Sequence, residues 1–454
     1  MPGLSVAHKM ALGALIERCS DATLATLSKA VGLMGGDKAE ELKRMFAAET
    51  VDRARRAYVT APLAPMFRAR ADGVEALIFP SAVLPRLWKA ASEREPQLLT
   101  RLDRDGPDAV AVADRICATA AGLIRDRPEA IWPADLAGAL PREDALPELA
   151  ACLDLAHLGR RALPSLDTWL KRPDADQVAA LRVLLKDSAE VSEDGAERLM
   201  EILFAHLEDA VLVLRILTQT SGAAERESFL CESELAGFVE RLIVGIDERA
   251  ARVAAFKPGP DLARAKAVNA DLGWCANVLA ELDVTLSLQP DSAWGRSVRD
   301  ARQTIARQMN ALLKAADRAA AEALPTERVQ LSGRMTRQAP RLDAPTSGET
   351  VEAARILLRL VGAARGPAAV FGVEGARAQL VETLTERLSG WADEALTTIN
   401  DGEAPDEDHA LALIEIAARS LDLIEARDAA RAVRRRAAVA GGPRSGAKAS
   451  SQAA

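Results

Sequence analysis

The sequence predicts an all-α fold: a multi-helix bundle or irregular helical array with a separate C-terminal helical bundle. Apolar residues make up 49% of the 454-residue chain, but only 3% is aromatic, and Ala and Leu dominate. Ala and Leu favour helices, whereas strands favour β-branched and aromatic residues. Apolar residues also recur every three or four positions along most of the chain, and alternating β-branched runs are nearly absent.

The clearest amphipathic segment extends from Ser192 to Leu217. Ser192 is a candidate N-cap, and the acids that follow it suit the positive end of a helix dipole. Leu199, Leu203 and His206 belong to an apolar stripe that continues to Leu217 at spacings of three and four. This pattern predicts one helix of about five turns with His206 on its apolar face.

Further long helices are predicted wherever the same periodicity lies between proline and glycine breaks. They cover Pro107–Arg125, Leu146–Leu163, Asp176–Lys186, Glu234–Phe256, Asp261–Leu286, Ser292–Leu324, Thr350–Ala364, Glu374–Ile399 and Asp406–Val439.

The periodicity disappears between Pro325 and Gly348, where Ser, Thr, Pro and Gly accumulate. Four arginines and no acid lie between residues 328 and 341. A long segment without periodicity is typical of a linker, so we expect the main domain boundary here. The predicted divisions are an N-terminal helical region (1–135), a central helical domain (136–325), a basic linker (326–348), a C-terminal helical domain (349–440) and a disordered tail (441–454).

Charge, cysteine content and the length of apolar runs argue against several classes of protein. The net charge of −8 argues against nucleic-acid binding by the general surface. The five cysteines are far apart and form no disulfide or zinc pattern, so each is expected to be a small core residue. No secretory signal and no apolar run of about 20 residues is present, which predicts a cytoplasmic protein without a transmembrane segment.

The motifs of common catalytic and cofactor sites are missing. The chain has no phosphate-binding glycine pattern and no HExxH or GxSxG. Asp154 and Asp406 each stand three residues before a histidine, His157 and His409, but a carboxylate-bridged metal site needs more ligands. Asp406 is better explained as a helix cap. We therefore expect no cofactor, metal or catalytic residue.

The strongest local signal is electrostatic. Seven basic residues and one acid, Asp428, lie between Arg427 and Lys448, which gives this C-terminal arm a charge of +6. The ordinary interpretation is favourable charge at a helix end. The functional one is a contact for an anionic partner, and the arm could also fold back onto the chain's own acidic residues.

We therefore expect a non-enzymatic cytosolic interaction protein, a helical scaffold or adaptor, with an unidentified protein partner. One alternative is an all-helical enzyme with an unfamiliar site near Asp154, His157 and His206. Another is nucleic-acid or anionic-membrane binding through the arm. The candidate partner-binding residues are the basic ones of the linker and arm: Arg328, Arg334, Arg337, Arg341, Arg427, Arg431, Arg434, Arg435 and Arg436.

Overall fold

The computed structural model describes residues 4–103, 106–220, 227–332 and 335–440. Helices dominate these ranges, and the strands found in them form a single two-stranded sheet. The predicted all-α fold is therefore confirmed. No helix within the described ranges is long and apolar enough to cross a bilayer.

The chain forms two compact units. One comprises Met1–Ala224 and Ser228–Phe238, and the other comprises Glu225–Glu227 and Val239–Ala454. Neither unit coincides with any of the five predicted divisions, and those divisions remain predictions. The predicted tail 441–454 lies outside the described residues.

The first unit is built from short and medium helices. Its core includes Trp132, Trp169 and Phe204, each 1% exposed or less. Its helices are α1 (Val6–Arg18), α2 (Asp21–Gly32), α3 (Asp37–Thr60), α4 (Val83–Arg94), α5 (Pro96–Arg101), α6 (Ala109–Asp126), α7 (Pro128–Ile131), α8 (Arg142–Asp154), α9 (Ala156–Ala162), α10 (Leu166–Leu170), α11 (Ala175–Val191), α12 (Gly195–His206) and α13 (Val213–Thr220), with 3₁₀ helices at Ala64–Phe67, Leu163–Ser165 and Ala210–Leu212.

The single helix predicted over Ser192–Leu217 is wrong, because this segment is divided between two helices. Ser192 has extended backbone and ends α11 instead of capping a new helix. After α12 the chain turns at Asp209, whose side chain accepts a hydrogen bond from the Val211 amide at 3.1 Å. This local cap starts a new helical turn, so it interrupts the stripe that periodicity alone would continue.

The second unit contains the longer helices and the hairpin. Helices α14 (Glu227–Cys231) and α15 (Ala236–Ala255) contribute residues to both units. The remaining elements are α16 (Leu262–Thr285), α17 (Ala293–Ala323), β1 (Thr326–Ser332), β2 (Met335–Pro340), α18 (Glu349–Ala363), α19 (Arg365–Val370), α20 (Glu374–Asn400), α21 (Glu407–Leu423) and α22 (Arg427–Ala440).

Helix α17 packs directly against α18, and α21 packs against α18, α20 and α22. The apolar stripe of α17 is buried along its length, from Val298 through Ile305 to Leu312. At Gly362 of α18 an added Cβ atom would lie 2.1 Å from the carbonyl oxygen of Leu423. The helices on either side of the predicted linker thus share one core.

The predicted linker contains an antiparallel hairpin. Thr326 pairs with Pro340, Arg328 with Gln338 and Gln330 with Thr336, with a bulge between Gln330 and Ser332. The predicted linker therefore has regular structure over residues 326–332 and 335–340, where the sequence pattern predicts none. The alternation that forms the ladder spans only a few residues and is mostly polar, so it gives a weak pattern in the sequence.

Candidate functional site

Away from its base, the hairpin of β1 and β2 is exposed on both faces at the residues whose side chains the structure describes. Residues 326–330 of β1 and 336–338 of β2 are all exposed, whereas Ala339 and Pro340 at the base are buried. A two-stranded ribbon is marginally stable alone in water, so its order depends on how its base is held.

Three hydrogen bonds hold that base. The indole Nε1–H of Trp391 on α20 donates to the carbonyl oxygen of Pro325 at 3.0 Å. The Arg341 amide donates to the same oxygen at 3.0 Å, which closes the ribbon where its two strands end. Beyond it, Nε2 of His409 lies 2.8 Å from the carbonyl oxygen of Ala344, which is fully buried. The helical body therefore fixes both ends of the exposed ribbon.

The ribbon separates two of the predicted arginines. Because side chains alternate across a strand, Arg328 shares a face with its partner Gln338, whereas Arg337 shares the opposite face with Val329. Neither guanidinium forms an ion pair with a described residue. Arg334 lies outside the described residues.

Arg341 is held differently. Its Nε lies 2.8 Å from Oδ1 of Asp343. The hydrogen bond to Asp343 and the charge of that carboxylate, followed by the charge of Glu327, raise the pKa of this guanidinium. The linker arginines therefore do not form one basic cluster: two are unpaired on opposite faces, and the third is neutralised locally.

The described part of the C-terminal arm forms helix α22, which packs against α20 and α21. Arg434 lies between two carboxylates, at 3.1 Å from Glu415 and 2.8 Å from Asp422. Arg436 forms an ion pair with Asp393 of α20. The alternative that the arm folds back onto the chain's own acids is thus realised for these two arginines.

The remaining arginines of α22 form one stripe. Arg427, Arg431 and Arg435 are exposed and four residues apart, which places them on one face of the helix, about 6 Å apart along its axis. Arg431 pairs with the neighbouring Asp428 at 2.7 Å, and the other two form no ion pair with a described residue. Arg444 and Lys448 lie outside the described residues.

Asp154, His157 and His206, the residues of the possible enzyme site, each have a local partner in the first unit. Nδ1 of His157 lies 2.8 Å from the backbone oxygen of Asp154, and the Asp154 carboxylate forms an ion pair with Arg125. Nε2 of His206 lies 2.9 Å from the backbone oxygen of Pro62, and burial lowers the pKa of this imidazole. Each polar group is thus accounted for by a local contact. The Asp406–His409 pair is explained as expected, because Asp406 accepts a hydrogen bond from the His409 amide.

Two of the cavities lined by described residues have room for a small molecule, and none of these three residues lines either. The larger, about 540 Å³, has apolar walls that include Val351 and Ile416. Its two arginines, Arg355 and Arg419, are paired with Glu352 and Glu415. The smaller, about 280 Å³, contains Trp88, whose indole nitrogen donates to both Asp52 oxygens.

Among the described residues, clusters of metal ligands and buried thiols identify no further site. Groups of three or more potential metal ligands are absent from the part of the chain that the structure describes. Cys117, Cys152 and Cys275 are buried as expected, and burial raises the pKa of Cys117 to about 12, which disfavours a thiolate. Cys231 is exposed, so the expectation of a core residue is wrong there.

Comparison with known proteins finds no matching family, no matching characterised protein and no matching solved structure. The candidate site therefore depends on the geometry of this chain alone. Sequence reasoning identified the hairpin's arginines but did not predict that Trp391 and His409 hold the hairpin base, and it considered His409 only as a possible metal ligand. The only signal for either was a tryptophan or a histidine on a predicted helix.

Proposed function

We propose that this protein is a non-enzymatic interaction protein, a helical scaffold or adaptor, whose main contact surface is the hairpin Thr326–Pro340. One observation carries the proposal: residues 326–330 and 336–338 of the hairpin are exposed, while its base is held by Trp391 and His409. A ribbon ordered in this way presents side chains and backbone to a partner with little conformational entropy left to lose.

The opposite inference, that the hairpin is only a connection, has less support. The helices α17 and α18 pack directly against each other, so a short turn between them would suffice. The exposed strands bury little apolar surface, since the described side chains of β1 are all exposed. Their contribution to the stability of the core is therefore small, which leaves an external contact as the better explanation of the hairpin.

The test is a hairpin replacement. In the variant, residues 327–339 are replaced by four Gly and Ser residues, and the matched control carries Arg427→Gln and Arg435→Gln on α22. Each protein is purified from the native host, and its partners are identified by mass spectrometry. We expect the replacement to lose a reproducible partner set that the control retains, with melting temperatures close to that of the unaltered chain. An unchanged partner set in a folded replacement variant would contradict the proposal.

A second candidate function is binding of an anionic macromolecule through the stripe of Arg427, Arg431 and Arg435. It is favoured by their exposure on one helix face. The test is binding to DNA, RNA and acidic vesicles at two salt concentrations, with Arg427→Gln and Arg435→Gln as the variant. Binding that weakens with salt and with these substitutions would support this function, and its absence would contradict it.

A further inference from the structure

Along Thr326–Val329, the outer edge of β1 has no hydrogen-bond partner among the described residues. The backbone groups of Thr326–Val329 that point away from β2 form no hydrogen bond with any described residue. Helix α20 contacts β2, which leaves β1 as the outer strand. An exposed edge of this kind is a template for another strand, because its amide and carbonyl groups repeat at the spacing of a sheet.

The side chains beside this edge specify what an added strand would carry. Arg328 is exposed and unpaired on one face of the ribbon, and Val329, 37% exposed, lies on the other together with the exposed Glu327. The side chains of neighbouring strands lie about 4.5–5.5 Å apart when they are directly opposite. An acidic side chain would therefore suit the position beside Arg328, and an apolar one the position beside Val329.

We propose that the outer edge of β1 binds an extended acidic segment of a partner protein as a third strand, with a carboxylate beside Arg328 and an apolar side chain beside Val329. This inference rests on the proposed function, because it takes the hairpin to be the contact surface. Main-chain hydrogen bonds supply much of the affinity in such strand addition, and alternate side chains supply the specificity.

The charge of the hairpin favours an acidic segment of another protein over two other possible occupants of the β1 edge. A second copy of the chain pairing edge to edge would bring two hairpins together, each with the unpaired cations Arg328 and Arg337 and a single acid, Glu327. The chain's own C-terminal segment, residues 441–454, contains Arg444 and Lys448 and no Asp or Glu, so it offers no acidic side chain to Arg328. An acidic segment of another protein matches the edge better than either.

The probe is a fluorescein-labelled nine-residue peptide of alternating Glu and Val, added to the full chain and followed by fluorescence anisotropy. In two analogues, alternate backbone amides are N-methylated, so that the methyl groups lie along one edge of the extended peptide in the first analogue and along the other edge in the second. A third analogue has Lys in place of Glu. We expect the Glu peptide to bind, one N-methylated analogue to lose about tenfold or more in affinity, and the other to bind as the parent does. The Lys peptide should not bind.

Two protein variants complete the test. Arg328→Glu should weaken binding of the Glu peptide by about tenfold or more and allow the Lys peptide to bind. The matched control, Arg337→Glu, carries the same charge change on β2 and the opposite face, and we expect a change of less than about threefold. Both residues are exposed, so neither substitution should alter folding.

Several outcomes would overturn the inference: no saturable binding of the Glu peptide, equal binding of both N-methylated analogues and the parent, or equal effects of the two substitutions. A dimer of the unliganded chain that Arg328→Glu dissolves would identify a second copy as the occupant and also overturn it. If the hairpin replacement removes the partner set but the Glu peptide does not bind, this inference fails and the proposed function stands.

Discussion

The indole nitrogen of Trp391 donates a hydrogen bond to the backbone oxygen of Pro325, and this contact joins helix α20 to the residue that precedes the hairpin. Trp391 is 5% exposed, so the bond is shielded from water. The same oxygen accepts from the Arg341 amide on the far side of the ribbon. A change at Trp391 should therefore be transmitted to the hairpin base.

We expect Trp391→Phe to lower the free energy of unfolding by about 1 kcal/mol for the lost hydrogen bond, in addition to the loss of packing. It should also speed hydrogen exchange at the Arg341 amide. The matched control is Trp294→Phe in α17, a buried tryptophan whose indole nitrogen has no hydrogen bond to a described residue. Equal exchange at Arg341 in both variants would show that Trp391 does not hold the hairpin.

We expect the ion pairs of Glu415 to make the free energy of unfolding depend on pH in the acidic range. Burial alone would raise the pKa of this carboxyl, but hydrogen bonds from Arg434 and Arg419 outweigh it and lower the pKa. A lowered pKa in the folded state stabilises the fold above the ordinary value of about 4.3, and this contribution is lost as the pH falls through the folded value.

We therefore expect Glu415→Gln to cost under about 1 kcal/mol near neutral pH, because the pair is partly exposed. The difference from the unaltered chain should shrink as the pH falls below about 4. Urea unfolding measured across this range checks the prediction, with Glu403→Gln, an exposed carboxyl without an ion pair to a described residue, as the control. A difference that does not change with pH would contradict it.

We expect the burial of His206 to lower the stability of the first unit at mildly acidic pH. Burial lowers its pKa, so the folded state binds its proton less readily than the unfolded chain does. The stability that depends on neutral His206 is complete above about pH 6.5 and is lost as the pH falls towards the folded value.

We expect His206→Gln to reduce the fall in stability between about pH 7.5 and about pH 5.5. Glutamine retains an N–H that can donate to the Pro62 oxygen, so the contact need not be lost. The control is His8→Gln, which replaces an exposed histidine. If both variants show the same pH dependence as the unaltered chain, burial of His206 is not linked to acid stability.

The close approach at Gly362 predicts opposite effects of one substitution at two helical glycines. An alanine Cβ at Gly362 would lie 2.1 Å from the Leu423 oxygen, whereas at Gly390 of α20 it would meet no atom within 4 Å. Gly362→Ala should cost about 1–3 kcal/mol through overpacking, and Gly390→Ala should stabilise by about 0.5–1 kcal/mol through helix propensity. Denaturant unfolding of both variants checks the signs, and a stabilising Gly362→Ala would disprove the packing of α18 against the end of α21.

The helices could be predicted from the sequence because their signal is long and redundant. Helix α17 repeats an apolar residue on one face over 31 residues, so no single position decides its assignment. The hairpin depended instead on a short polar alternation around Val329, which periodicity cannot distinguish from a linker. The break at Asp209 was missed because it depends on one local cap rather than on a pattern.

The candidate site was only partly predictable for a related reason. Runs of arginine are visible in the sequence, but pairing is decided by residues distant along the chain. Arg434 is neutralised by Glu415, and Arg436 by Asp393, whereas Arg435 between them is exposed. A count of charges in the sequence does not distinguish these three arginines. The packing of α22 pairs two of them with carboxylates and leaves the third exposed.

Site-specific photo-crosslinking in the native host tests the central claim most directly. A benzoylphenylalanine at the exposed Thr336 of β2 would report contacts of the hairpin, and the same residue at Val284, 83% exposed on α16 of the same unit, would serve as the control. If the hairpin is the main contact surface, a defined crosslinked partner forms from position 336 and not from position 284. Crosslinks from neither position, or the same partner from both, would contradict it.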